Sequence, residues 1–162
     1  MSSVTAVTSL TESVVIRVPP DTAYAAVSDV ARMGEWSPEC RGAWVPRRRG
    51  PLMAGMWFLG RNRARLLPWV TLCRVVVADP GHCFAFRVSF LAIPLSRWTY
   101  SFAPLPDGCQ VTELWEDRRG LLGRVFTTVA ALTTGVVRRS ARNQVTMRAT
   151  LEALRDTLEP GG

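Results

Sequence analysis

Glu113 and Tyr100 are the residues of this sequence best placed to do chemistry: a carboxylic acid and a phenol that one hairpin brings face to face. Pairing about the turn Pro106-Asp107 sets Tyr100 opposite Glu113, Trp98 opposite Trp115 and Phe102 opposite Val111, since loop length decides which residues meet across antiparallel strands. Directly opposed side chains have Cβ atoms ~4.5 to 5.5 Å apart, within reach of a hydrogen bond or a shared water. Aromatic neighbours exclude water from the carboxylate and raise its pKa, which suits it to exchange protons near neutral pH while the phenol orients a ligand carbonyl. The same placement also serves a purely structural pair, with Glu113 held by Tyr100, Asn143 or an arginine.

Other polar residues fall where apolar ones are expected. Asn62 points inward near the rim of its strand, and Ser140, Asn143 and Gln144 interrupt a helical stripe at positions suited to Val or Leu. Buried amides cost free energy unless paired, so they bond each other and ordered water or await a polar group of a ligand. The interruption implies a cavity where a dry core would otherwise lie. Metal chemistry is not expected, because Cys40, Cys73, Cys83 and Cys109 lack C-x-x-C spacing and the single histidine, His82, sits in a turn. No cofactor is expected either.

These residues need a frame, and the longest helical segment supplies one side of it. From Leu121 to Leu158 the apolar residues Leu122, Phe126, Val129, Leu132, Val136, Met147, Leu151, Leu154 and Leu158 recur mostly three or four apart, which predicts one inward stripe. An unbroken helix of that length would run ~55 Å, so a break is expected near Gly135. Before it come strands. Glu12 to Val18 alternates and carries four β-branched residues, and Pro19-Pro20-Asp21 then starts a helix through Ser28, with Tyr24, Val27 and Val30 apolar. Ser28 or Asp29 caps a second helical turn that Gly34 ends.

Three hairpins follow: Arg41 to Pro46 with Gly55 to Asn62, Trp69 to Ala78 with His82 to Phe90, and Arg97 to Ala103 with Gln110 to Asp117. Pairing about Pro80-Gly81 sets Val75 opposite Phe86 and Val77 opposite Phe84, and pairing about Ala92 sets Phe86 opposite Trp98. The inner face then carries Cys73, Val75, Val77, Phe84, Phe86, Val88, Trp98, Tyr100, Phe102, Val111, Glu113 and Trp115. Arg74, Arg87, Arg97 and Glu116 point outward. Extending the register adds Phe58, Gly60 and Asn62 beside Cys73, Thr71 and Trp69. The fold class is therefore α+β: a curved antiparallel sheet of about seven strands around a long C-terminal helix.

The totals agree with a single domain over residues 12–158, between tails 1–11 and 159–162. Of 162 residues 48% are hydrophobic and 20% charged, with six Trp, which excludes a disordered chain. The net charge of +7 comes from 20 Arg without a lysine. Arg47-Arg48-Arg49 stands at a hairpin tip while Arg61, Arg63 and Arg65 lie ~25 Å away along the next strand, a poor groove for nucleic acid. Residues 1–10 lack the basic start and apolar centre of a signal peptide, and Val125 to Val137 is too short to span a bilayer. A cytoplasmic protein with reduced thiols is expected, monomeric or weakly dimeric.

The segment Ser28-Asp29-Val30-Ala31-Arg32-Met33-Gly34-Glu35-Trp36-Ser37-Pro38-Glu39-Cys40 resembles the polyketide cyclase/dehydrase and lipid-transport family of the START-like helix-grip superfamily. Gly60-Arg61-Asn62, Asp79-Pro80-Gly81 and Val111-Thr112-Glu113-Leu114-Trp115-Glu116-Asp117 share the likeness, which is to actinobacterial members and covers nearly the whole chain. The resemblance implies an elongated apolar cavity between sheet and helix, with its entrance near Trp36-Ser37-Pro38, where Trp36 either caps a ligand or plugs the end of the fold. The expected ligand contacts are Trp36, Phe58, Asn62, Trp69, Cys73, Phe84, Phe86, Trp98, Trp115, Ser140, Asn143, Gln144 and Met147, with Glu113 and Tyr100 as candidate catalytic residues. Two functions remain: a binder or carrier of a hydrophobic, aromatic or lipid-like small molecule, or a cyclase, aromatase or dehydratase acting on a polyketide-like compound. A third is arginine-mediated binding to nucleic acid or a membrane surface.

Overall fold

Turn chemistry divides the middle of the chain into hairpins, and each turn settles which strand faces are shared. The computed structural model describes residues 8–46, 50–64, 67–134 and 139–159. In chain order its elements are β1 (Ser9–Ile16), α1 (Pro20–Ser28), a 3₁₀ turn (Val30–Glu35), β2 (Cys40–Trp44), β3 (Trp57–Ala64), β4 (Leu67–Asp79), β5 (Cys83–Phe90), β6 (Ile93–Leu105), β7 (Gly108–Asp117), α2 (Leu121–Thr134) and α3 (Arg139–Leu158). All seven strands join one antiparallel sheet in the order β1-β7-β6-β5-β4-β3-β2. Strand one starts at Ser9 rather than Glu12, because Ser9 to Thr11 continue the ladder against Glu116, Trp115 and Leu114. It ends at Ile16. The short turn runs through Gly34 to Glu35, and Asp29 before it makes no side-chain cap hydrogen bond.

The register holds along most of each hairpin, with corrections beside two turns. Trp98 faces Trp115, Tyr100 faces Glu113 and Phe102 faces Val111, while Phe86 faces both Val75 and Trp98. Phe58, Gly60 and Asn62 face Cys73, Thr71 and Trp69. Val77, however, does not oppose Phe84. A register shift between Val75 and Val77 places Ala78 there instead, and Val77 meets Ala85. The expected pairing thus holds from Val75 outward and fails between the bulge and the turn; likewise the pairing about Ala92 holds through Val88 with Ser96, but a second shift pairs Ser89 with Pro94 and Phe90 with Ile93 beside the turn.

Pro19 and Pro20 start α1 with φ already helical, and its Ala23, Tyr24, Ala26 and Val27 are buried against the sheet. Tyr24 sits edge-on to Phe84 and Phe102 at 6.1 and 5.6 Å between ring centroids. This makes one dry core. Gly81, in the Asp79-Pro80-Gly81 turn, lies at φ +75, and a Cβ there would stand 2.3 Å from Asp21 Oδ1; the turn can therefore pass beneath the start of α1 only as glycine.

The C-terminal segment is two helices. Met147, Thr150, Leu151 and Leu154 of α3 are buried at i, i+3, i+4 and i+7, as an inward stripe requires. Along α2 the expected stripe does not face inward: Leu122 and Val129 are 79% and 58% exposed, and Phe126 is half-buried. The side chains of Leu132 and Ser140, and residues 135–138 with Gly135 and Val136, lie outside the described residues. So do Arg47 to Arg49 and Arg65.

Candidate functional site

The sheet's inner face, the 3₁₀ turn with Ser37 and Glu39 after it, and the two C-terminal helices line a partly open cavity of about 570 Å³. Its chemistry begins at the β6–β7 hairpin. Tyr100 and Glu113, 5% and 2% exposed, meet as the register requires, and the phenol donates a 2.6 Å hydrogen bond to Glu113 Oε1. Trp98 and Trp115 continue the same wall. Among the described residues Glu113 Oε2 is buried without a hydrogen-bond partner. An ionised carboxylate left so would be costly. Burial pushes Glu113 up to about 8, against the lowering effect of the Tyr100 hydrogen bond and with a smaller upward push from Glu12. The acid is thus protonated at neutral pH. Burial and the Glu113 carboxyl also hold the Tyr100 phenol well above its ordinary value.

The only proton of the phenol is committed to Glu113 Oε1, so the remaining donor of the pair is the protonated carboxyl itself. The phenol expected to orient a ligand carbonyl thus donates to Glu113. Glu12 of β1 stands opposite Glu113 in register, and α3 holds it through Arg148 and Gln144, whose Nε2 donates at 3.1 Å.

A second polar group comes from β3 and β4. Asn62 Nδ2 donates to Thr71 Oγ1 at 3.2 Å, and that hydroxyl lies 3.8 Å from Cys73 Sγ. Gly60 leaves them room, since a Cβ there would stand 2.9 Å from Thr71 Oγ1. Burial pushes the Cys73 thiol up to about 12 and raises Cys40 as well; neither is a thiolate nucleophile at neutral pH. The roof comes from α3, whose Asn143, Thr146, Met147 and Thr150 share one face.

The far end of the lining comprises Phe90, Leu95, Phe126, Thr127 and Arg119. Phe90 stacks on Phe126 at 5.3 Å between centroids. Arg119 pins the start of α2: its Nε and Nη2 donate to Asp117 at 2.8 and 2.6 Å and its Nη1 to Thr127 Oγ1 at 3.1 Å. Burial alone would raise Asp117, but those bonds outweigh it and hold the carboxylate lowered. Between β2 and α3, Arg142 pairs with Glu39, which also lines the cavity.

Of the expected contacts, Phe58, Asn62, Trp69, Cys73, Phe86, Trp98, Trp115, Asn143 and Met147 line this cavity together with Glu113 and Tyr100. Three do not. Trp36 is 5% exposed in the core beside Met33, with the Arg32 guanidinium 5.6 Å over its ring, so it plugs the fold. Phe84 is spent on Tyr24 and Phe86 in the dry core. Gln144 is exposed and bonded to Glu12, because the inward face of α3 runs through Asn143, Thr146, Met147 and Thr150, and residue 144 lies off it. Thr146 and Thr150 were legible as i, i+3, i+4, i+7 partners of Asn143 and Met147; the Arg119–Asp117 clamp and the Phe90–Phe126 stack had no such periodic signal.

Comparison with known proteins places this geometry. The sequence pattern of the polyketide cyclase / dehydrase and lipid transport family matches residues 7–159, and the chain belongs to that family. It is 32% identical to the polyketide-cyclase-like protein Cgl2372 of Corynebacterium glutamicum, with a TM-score of 0.62 over 93% of this chain and 90% of that one. A START superfamily protein of Mycobacterium smegmatis shares the fold at 16% identity, TM-score 0.63, covering 93% and 97%. The mitochondrial coenzyme Q-binding protein COQ10 of Saccharomyces cerevisiae is 27% identical over 143 residues, 83% of this chain and 67% of that protein.

Proposed function

From family membership and the geometry of the cavity, we propose that this protein binds and carries an apolar small molecule bearing a carbonyl-type hydrogen-bond acceptor, of which a quinone is the leading example. The observation that carries the reading is Glu113, a buried carboxyl in the lining of the cavity of about 570 Å³ whose Oε2 has no hydrogen-bond partner among the described residues. A protonated carboxyl there lacks only an acceptor, and a buried donor left unmatched costs ~1 to 3 kcal/mol, which a carbonyl oxygen recovers on binding. Ring faces of Trp98, Trp115 and Phe86 suit a flat conjugated system. The coenzyme Q-binding relative supports a quinone, and a mostly aromatic pocket with a few polar groups suits orientation of such a ligand.

Quenching of tryptophan fluorescence by a naphthoquinone tests this, since Trp69, Trp98 and Trp115 line the cavity. Affinity should fall as pH rises past about 8, where Glu113 loses the proton it donates. Glu113→Gln keeps a donor without titrating, so its affinity should stay level with pH, whereas Glu113→Leu should weaken the quinone about tenfold and leave a hydrocarbon of similar size unchanged. Equal binding of quinone and hydrocarbon by the wild-type protein would defeat the assignment.

The raised carboxyl also favours a second reading, acid catalysis on a polyketide-like substrate, because an acid titrating near neutrality can give and retake a proton. Turnover abolished in Glu113→Gln with affinity intact is the outcome specific to it.

A further inference from the structure

On the face of the sheet turned away from the cavity, the register lines up three arginines. Arg74 of β4 stands opposite Arg87 of β5, and Arg87 stands opposite Arg97 of β6. Like charges directly opposite one another on neighbouring strands repel, so such a row costs stability unless something of opposite charge joins it. Glu116 of β7 ends the row on one side, opposite Arg97. On the other side stands Trp57 of β3, paired with Arg74, whose guanidinium lies 5.3 Å from the centre of the indole ring.

Little within the protein neutralises the row. Arg74 and Arg87 are exposed and have no ion pair among the described residues. Arg97 Nε stands 3.8 Å from Glu116 Oε2, beyond hydrogen-bond reach, and is buried without a hydrogen-bond partner among the described residues. The shorter contact of Glu116, 2.8 Å, goes to Arg118 Nη2. Arg74, Arg87 and Arg118 then converge on one groove of about 180 Å³, walled by Trp57, Ser89 and Ser96, and no described residue of its lining is an acid.

Three planar guanidinium forks reaching one groove from β4, β5 and the end of β7 suit an anion whose oxygens point in several directions, a phosphate rather than a flat carboxylate. The groove offers the space of roughly six waters at ~30 Å³ each, room for two linked phosphates. We propose that it binds a diphosphate group, free or carried on an organic molecule, and that this anion completes the arginine row. The site is distinct from the cavity, which lies across the thickness of the sheet with Val88 and Ser96 in the walls of both. It therefore does not depend on the ligand assigned to the cavity.

Titration calorimetry with inorganic pyrophosphate at low ionic strength tests the site, with sulfate, inorganic phosphate and ADP for comparison. Pyrophosphate should bind roughly tenfold tighter than phosphate or sulfate and weaken as salt rises. Binding of ADP as tight as that of pyrophosphate supports a diphosphate carried on an organic molecule, and pyrophosphate binding without ADP binding supports the free ion. Arg87→Gln and Arg74→Gln should each weaken pyrophosphate about tenfold. Arg155→Gln, which removes a charge from α3, should not. Taking one charge out of the row relieves repulsion, so Arg87→Gln should melt no lower than wild type, and its naphthoquinone quenching should be unchanged. Three results overturn the site: equal affinity of the wild type for pyrophosphate and sulfate, undiminished pyrophosphate binding by both row variants, and an equal loss in Arg155→Gln, which would assign the attraction to net charge alone.

Discussion

The two C-terminal helices invert the expectation from their composition, and the inversion shows where folding free energy resides. The sequence of α2 is Leu-rich and carries a single arginine, Arg124; that of α3 holds four arginines and two acids. Yet α3 lies along β1 and touches β7, burying Met147, Leu151 and Leu154 to 2% exposure or less, whereas α2 meets β6 and leaves Leu121, Leu122, Val125 and Val129 more than half exposed. Burial depends on a few apolar residues at the right spacing opposite a complementary face, here Ile16, Cys109 and Val111 at the β1 edge. Total hydrophobicity does not decide it.

Four substitutions would break or sharpen this contrast. Leu151→Ala should cost about 2 to 5 kcal/mol in denaturant unfolding, because it removes a side chain from the packed stripe of α3 and leaves a void. A cost below ~1 kcal/mol would show that α3 is not the packing helix. Next in size is the pH response of the site beside α3. Glu113 titrates at about 8 when folded and at its ordinary 4.5 when unfolded, so the stability tied to its proton is fully present below 4.5 and lost as pH rises through about 8. Each unit within that window is worth up to ~1.4 kcal/mol. The wild-type melting temperature should therefore decline from pH 5 to 8 relative to Glu113→Gln, and parallel profiles for the two would mean that the carboxyl is ionised in the fold.

Smaller effects are expected at α2. Arg119→Ala removes the clamp on Asp117, whose side chain is 5% exposed, and leaves a desolvated carboxylate at a cost of ~1 to 3 kcal/mol. Faster amide hydrogen exchange in residues 121–134 than in 147–158 is the measurement that ties the loss to α2. Smallest of all, Leu122→Ser should change stability by less than ~0.5 kcal/mol, since the side chain already faces solvent.

The contrast also separates what was legible from what was not. The hairpin pairing of Tyr100 with Glu113, of Trp98 with Trp115 and of Phe58 with Cys73 follows from short turns and the two-residue alternation of strands, which are local properties. The buried acid could thus be placed before any tertiary contact was known. Local rules failed where a single residue altered them. The shift after Val75 could not be read from alternation, because an additional residue leaves the apolar pattern plausible on either face. On α3 the choice of Gln144 over Thr146 and Thr150 came from reading polarity before angular position; the four-residue face through Asn143 was present in the spacing.

The sequence by itself determined the strand order of the hairpins, the inward face of β6 and β7, the helical nature of the C-terminal segment and the polar residues that interrupt its core. Only the tertiary structure decided that Trp36 and Phe84 pack while Trp69 and Trp98 line the cavity, that Glu113 Oε2 is left without a partner, and that the more apolar helix is the exposed one. The reason is physical. Periodicity reports which residues share a face, but whether that face meets protein, a cavity or solvent depends on how far the curved sheet reaches, and that distance is set by residues remote in sequence.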